Sequence, residues 1–157
     1  KTKAKKLRFA DEQELKEETR EILRKANQSY YARNEFMHII DEGEASCLSL
    51  SLILQEKKIE NVIVIDERTT RMLGENQENL RKLFESKLHT KVQLKANFSF
   101  LKNVKFVRSS ELVYLAYKRG LVNLGNGNVL DALLYATKYK GAAISRQEIE
   151  DLKRLGA

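Results

Sequence analysis

The chain of 157 residues has no proline, one cysteine and two histidines. A single cysteine, Cys47, excludes an intrachain disulfide. It lies in an apolar run, where a small core residue is expected, and it suits a reducing cytoplasm. His38 and His89 have no second histidine or cysteine at ligand spacing, which argues against a zinc site. No apolar run approaches the roughly 18 residues that a membrane span needs, and no signal peptide is visible, so no membrane partner is expected. The absence of proline beside abundant Lys and Glu is compatible with a thermophile.

What is present is charge, most of it positive. Twenty-nine Lys and Arg face 22 Asp and Glu, for a net charge of +7. That balance favours a polyanionic partner, RNA first, through phosphate neutralisation. Part of the excess is a basic tip of Lys1, Lys3, Lys5, Lys6 and Arg8. Lys87, Lys91, Lys95, Lys102 and Lys105, with Phe98 and Phe100 nearby, offer either a second nucleic-acid surface or a solvated face over a small core. With 42% hydrophobic residues, residues 1–157 suffice for one globular domain.

Periodicity predicts a long helix over residues 11–33, with Asp11 at its start, then an apolar cluster of Tyr30, Tyr31, Phe36 and Met37 near a turn. A second helix is predicted over 42–56. Asp41 would be its N-cap and Glu44 the capping-box partner, and its apolar residues run nearly all round, so it should be buried. Asn61-Val62-Ile63-Val64-Ile65 is β-branched on both faces and reads as a central parallel strand. Residues 69–73 begin a short helix or turn, and 75–91 form an amphipathic helix. Residues 92–100 alternate as a strand, and 104–107 form another. Ser109 or Ser110 would cap a helix ended by Gly120. Gly125-Asn126-Gly127 is a loop, a helix covers about 129–140, and Ser145-Arg146-Gln147-Glu148 is a capping box for the last helix.

Asp66 follows a parallel strand, and ligands of open α/β sheets collect at the carboxyl ends of strands. Glu44 opens the helix that feeds that strand, so it starts at the same end. Two carboxylates there suggest a hard divalent cation, Mg²⁺ or Mn²⁺. Each has a plainer reading, Glu44 as a capping partner and Asp66 as the cap of a turn. Arg68 and Arg71 follow the acidic turn and would hold a phosphate or pair with the acids. Arg108 and Ser109 follow the next strand and should face the same rim.

The order of these pieces resembles the PIN-domain nucleases. Gly43-Glu44-Ala45 opens a helix, and Val62-Ile63-Val64-Ile65-Asp66-Glu67-Arg68 follows. Leu112 to Leu121, then Leu130-Asp131-Ala132-Leu133, Gly141 and Ile144-Ser145, complete the order. The nearest branch is the prokaryotic one with a GEAEA and LLLDDR signature. The resemblance covers roughly 40–74 and 104–155. It implies an α/β, three-layer fold, a parallel sheet between helices, with residues 75–103 as a helix-strand insertion. It also implies metal-dependent hydrolysis of RNA. Glu44 would be the helix-borne acid, Asp66 the acid at the strand end, and Glu67 its weaker alternative or a helper.

There are departures from the pattern. Ser46 replaces the second Glu of GEAE. The family's first metal-binding Asp lies on an N-terminal strand, which nothing in 1–40 resembles, so it lies upstream of Lys1 or is lost. Glu14, Glu17 and Glu18 are candidates for the early helical acid. The alternative is therefore a catalytically degenerate PIN-like module that binds RNA or a protein partner. The apolar residues of 75–103 must fold back on the domain or pair with a second copy, and a homodimer is the expectation carried forward.

Overall fold

The computed structural model describes residues 11–122 and 128–156. The basic tip and the loop predicted at Gly125-Asn126-Gly127 lie outside them. The chain forms two compact units. One comprises residues up to Ile63 with Thr69–Lys105, the other Val64–Arg68 with Phe106 onward. The fold is mixed α/β and mostly helical.

The first unit opens with α1 (Glu12–Asn27). Asp11 caps it, its Oδ1 accepting from the N–H groups of Gln13 at 2.9 Å and Glu14 at 3.3 Å. The helix stops at Asn27 and does not run to residue 33. Tyr30–Ala32 is β1 and Glu35–Phe36 is β2, an antiparallel hairpin. Its two-residue turn places Arg33 at φ 51° and Asn34 at φ 66°, the left-handed pair of a type I′ turn. Aromatic strand preference and asparagine's tolerance of positive φ override the helical reading here.

Asn27 closes the excursion. Its Oδ1 accepts from Ile39 N–H at 2.6 Å and Ile40 N–H at 3.1 Å, and its Nδ2 donates to Ile40 O at 3.0 Å. The segment so held leads into α2 (Glu42–Glu56). α1 and α2 pack together, and Ala26, Ala45 and Ser49 are fully buried. Such small residues let two helix backbones approach. Only one face of α2 is buried, since Leu50 is 36% exposed. Cys47 is exposed rather than in the core, because it falls off the stripe formed by Ala45, Leu48 and Ser49.

The segment predicted as an insertion folds back within this unit. It contributes α4 (Gln77–Leu88) and β4 (Gln93–Leu94), the latter antiparallel to β1. α3 (Arg68–Glu75) precedes α4, and Asn76 separates the two by capping α4 through Asn79 N–H. Tyr30 meets Phe84 edge-on at 5.3 Å, and its hydroxyl donates to Gln77 O at 3.0 Å. Burial raises the Tyr30 phenol well above its ordinary pKa. Beyond β4 the predicted strand gives way to a 3₁₀ turn, Ser99–Leu101. Phe98 is 1% exposed. It is a core residue, not part of a nucleic-acid surface, as are Leu80, Phe84 and Val92, while Phe100 is 37% exposed.

β3 (Ile63–Val64) is shorter than the predicted strand. It lies parallel to β5 (Phe106–Val107), with bonds from Ile63 N–H to Lys105 O and from Ile65 N–H to Val107 O. Among the described residues this sheet has two strands. Val62 and Val64 are 49% and 52% exposed, so the expected interior strand is not formed there; Ile63 is buried and Ile65 half-buried. The three-layer arrangement reduces to this small parallel pair, with a separate antiparallel sheet ordered β2-β1-β4.

In the second unit α5 (Ser109–Lys118), α6 (Val129–Tyr139) and α7 (Arg146–Gly156) pack together. Leu130, Leu134, Ile144 and Ile149 form its core, with Tyr114, Tyr117 and Tyr135 against them. The Ser145–Glu148 capping box forms as the sequence predicts. Among the described residues no helix is long and apolar enough to cross a membrane.

Two substitutions test this packing. Phe98→Ala should destabilise the first unit by about 3–5 kcal/mol, lowering the thermal midpoint without a change of oligomeric state in light scattering. Asn27→Ala should cost roughly 2 kcal/mol in urea unfolding, because two N–H groups and a carbonyl lose their partner.

Candidate functional site

Asp66 stands just beyond the carboxyl end of β3, half-buried. Ser109 N–H donates to its Oδ1 at 2.9 Å and the Ser109 hydroxyl donates to its Oδ2 at 2.6 Å. The expectation that Asp66 and Ser109 share a rim is met by direct contact. Ser109 is not a cap itself. Arg108 occupies the N-cap of α5, and Asp66 supplies the acceptor for the first N–H of that helix. A carboxylate at a helix N-terminus also faces the favourable end of the helix dipole. Glu67 and Arg68 follow on the same turn and are exposed.

Arg108 is turned to structure rather than left open. It bonds Glu111 through Nε at 3.0 Å and Nη2 at 2.8 Å, and its Nη1 pairs with Glu148. Its own N–H donates to Glu111 at 2.9 Å. Burial works against the Arg108 charge. Its bonds to the two carboxylates outweigh that cost and hold the guanidinium more firmly protonated than usual. Burial also opposes the Glu148 charge, but the Ser145 N–H and Arg108 hold its carboxyl down to about 2. Glu111 and Glu148 escaped the sequence reading as partners of Arg108. The capping box around Glu148 was legible; an arginine 40 residues earlier carries no such local signal.

Glu44 and Arg71 belong to the first unit. Glu44 does what a capping box requires, accepting the Asp41 N–H at 2.5 Å. His38 Nε2 lies 2.7 Å from Asp41 Oδ1. Arg71 is half-buried, and its Nη1 has no acceptor among the described residues. Of the three early acids, Glu14 pairs with Lys57 at 3.3 Å, and Glu17 accepts from Gln13 at 2.5 Å. Glu18 is half-buried, and burial and then the nearby Glu21 raise its carboxyl above the usual range. Among the described residues no three His, Cys, Asp or Glu side chains gather as a metal-holding group.

Chemically, the Asp66 corner is an oriented carboxylate. Each oxygen accepts one hydrogen bond and retains a further lone pair. Those lone pairs are on oxygen, the ligand atom that Mg²⁺ and Mn²⁺ take.

The Glu148 pairing has a pH consequence. Its folded pKa is depressed from the ordinary value to about 2. The stabilisation is therefore fully present above the unfolded pKa and is lost as pH falls toward 2. Acid titration followed by circular dichroism should show this loss between about pH 4.5 and 2. Glu148→Gln should flatten that part of the curve and cost about 1 kcal/mol at neutral pH, a figure discounted because Glu148 is 41% exposed.

Compared with family models, with curated proteins and with solved structures, the chain shows no match.

Proposed function

We propose that this protein is a PIN-like, metal-dependent endoribonuclease built around Asp66. The observation that carries the reading is the Asp66–Ser109 contact, which holds a carboxylate in one orientation at the carboxyl end of a parallel strand. Asp66, with Glu67 beside it, would hold Mg²⁺ or Mn²⁺. Bound there, the ion supplies an activated water and neutralises charge on a phosphodiester. Ser109 orients the carboxylate through both of its bonds. Arg68, exposed next to this acidic turn, meets RNA phosphate. Arg108, committed to Glu111 and Glu148, positions the start of α5 and with it Ser109. The net charge of +7 draws RNA to the protein from a distance.

A second reading, a PIN-like module that binds RNA or a protein partner without cutting it, has its own support. Glu44 spends its carboxylate on the Asp41 N–H, and Ser46 stands where the family carries another acid.

The readings separate in one assay. With Mn²⁺ or Mg²⁺ the wild-type protein should cut single-stranded RNA, and EDTA should stop it. Asp66→Asn keeps the shape and removes the charge, so cleavage should fall at least a hundredfold while the melting curve stays within about 1 kcal/mol of wild type. RNA bound but left intact in either metal would establish the second reading instead.

A further inference from the structure

The three-stranded sheet of the first unit has two unlike faces. Tyr30 and Ala32 of β1 point inward and are buried. Tyr31 points the other way. Its direct partners in register are Phe36 on β2 and Gln93 on β4, so all three share the outer face. Tyr31 and Phe36 meet edge-on at 5.2 Å, and Phe36 is 50% exposed. The Lys95 ammonium sits 5.7 Å from the centre of the Tyr31 ring. Lys95 has no ion-pair partner among the described residues. The acid in this hairpin, Glu35, is opposite Ala32, on the other face.

The surrounding charge is one-sided. From Lys91 to Lys95, which spans β4, the chain has two lysines, both exposed, and no acid. The first unit thus joins an outward aromatic pair, a cation over one ring and exposed lysines on either side of β4. An apolar protein partner has no use for the excess charge. A duplex hides the base faces that would stack on the rings. Single-stranded nucleic acid uses both features, through bases on aromatic rings and phosphates on lysines.

The geometry points to the outer face of the β2-β1-β4 sheet as a binding platform for single-stranded nucleic acid. A base stacks on Phe36 and Tyr31, and Lys95 meets the adjoining phosphate. The platform is distinct from the Asp66 corner and does not depend on cleavage there.

Fluorescence anisotropy with fluorescein-labelled single-stranded RNA and DNA decamers, in EDTA, tests it. The wild-type protein should bind one or both, more weakly as salt rises. Phe36→Ala should weaken binding about five- to a hundredfold. Lys95→Gln should weaken it a fewfold and make the salt dependence shallower. Phe36→Tyr keeps a ring and should bind as wild type, which separates stacking from any loss of folding in Phe36→Ala. All binding is measured in EDTA, where no metal-dependent cleavage takes place, so failure of the nuclease reading leaves this result standing. No binding by wild type overturns the platform, as does equal competition by duplex RNA or wild-type affinity in folded Phe36→Ala. A wild-type dimer that Phe36→Ala dissociates, with RNA affinity unchanged, would assign the face to a second copy instead.

Discussion

The first unit depends on Asn27. An amide side chain carries both an acceptor and donors, and here it uses both on the backbone of Ile39 and Ile40. The hairpin β1-β2 is thereby a closed excursion between two helices, and its ends are tied at one point. α2 starts directly after that point, so its place beside α1 follows from the tie. β4 in turn adds to β1, and α4 covers the buried face of the hairpin through Tyr30 and Phe84. An aliphatic residue at position 27 would continue α1 as well, but would leave three backbone groups without a partner.

The second unit uses charge for a comparable purpose. Arg108 joins the start of α5 to Glu148 at the start of α7. Asp66 joins the end of β3 to Ser109. These bonds gather helix N-termini and a strand end at one corner. The same contacts that stabilise the corner orient the carboxylate on which the nuclease proposal rests. Orientation by a backbone N–H is inexpensive, because that N–H has no helical partner in any case.

Much of the helical architecture was legible locally. Asp11, Asp41 and Ser145 mark helix starts because a short polar side chain there satisfies first-turn N–H groups, and all three do stand at helix starts. Gly120 and Gly141 mark ends because positive φ is needed, and they adopt 65° and 110°. The hairpin is hidden from local pattern because Tyr30 and Tyr31 extend the apolar pattern of α1 without a glycine or proline to interrupt it. At 61–65 apolarity on both faces predicts burial on both, and the two-stranded sheet does not supply it. Val62 and Val64 are half-exposed instead.

By itself the sequence determined the helix boundaries that rest on caps, the net positive charge, and the chemistry available at Asp66, Glu44 and Arg68. Those properties belong to single residues or to neighbours within one turn. Tertiary structure decided that Asp66 meets Ser109, 43 residues away, and that Arg108 is committed to Glu148. It also decided that Phe98 is core while Phe36 is surface, and that Tyr31, Phe36 and Lys95 share one sheet face. Hydrogen bonds and ring contacts act over a few ångströms, and which residues come that close is set by packing across distant segments, which local patterns do not encode.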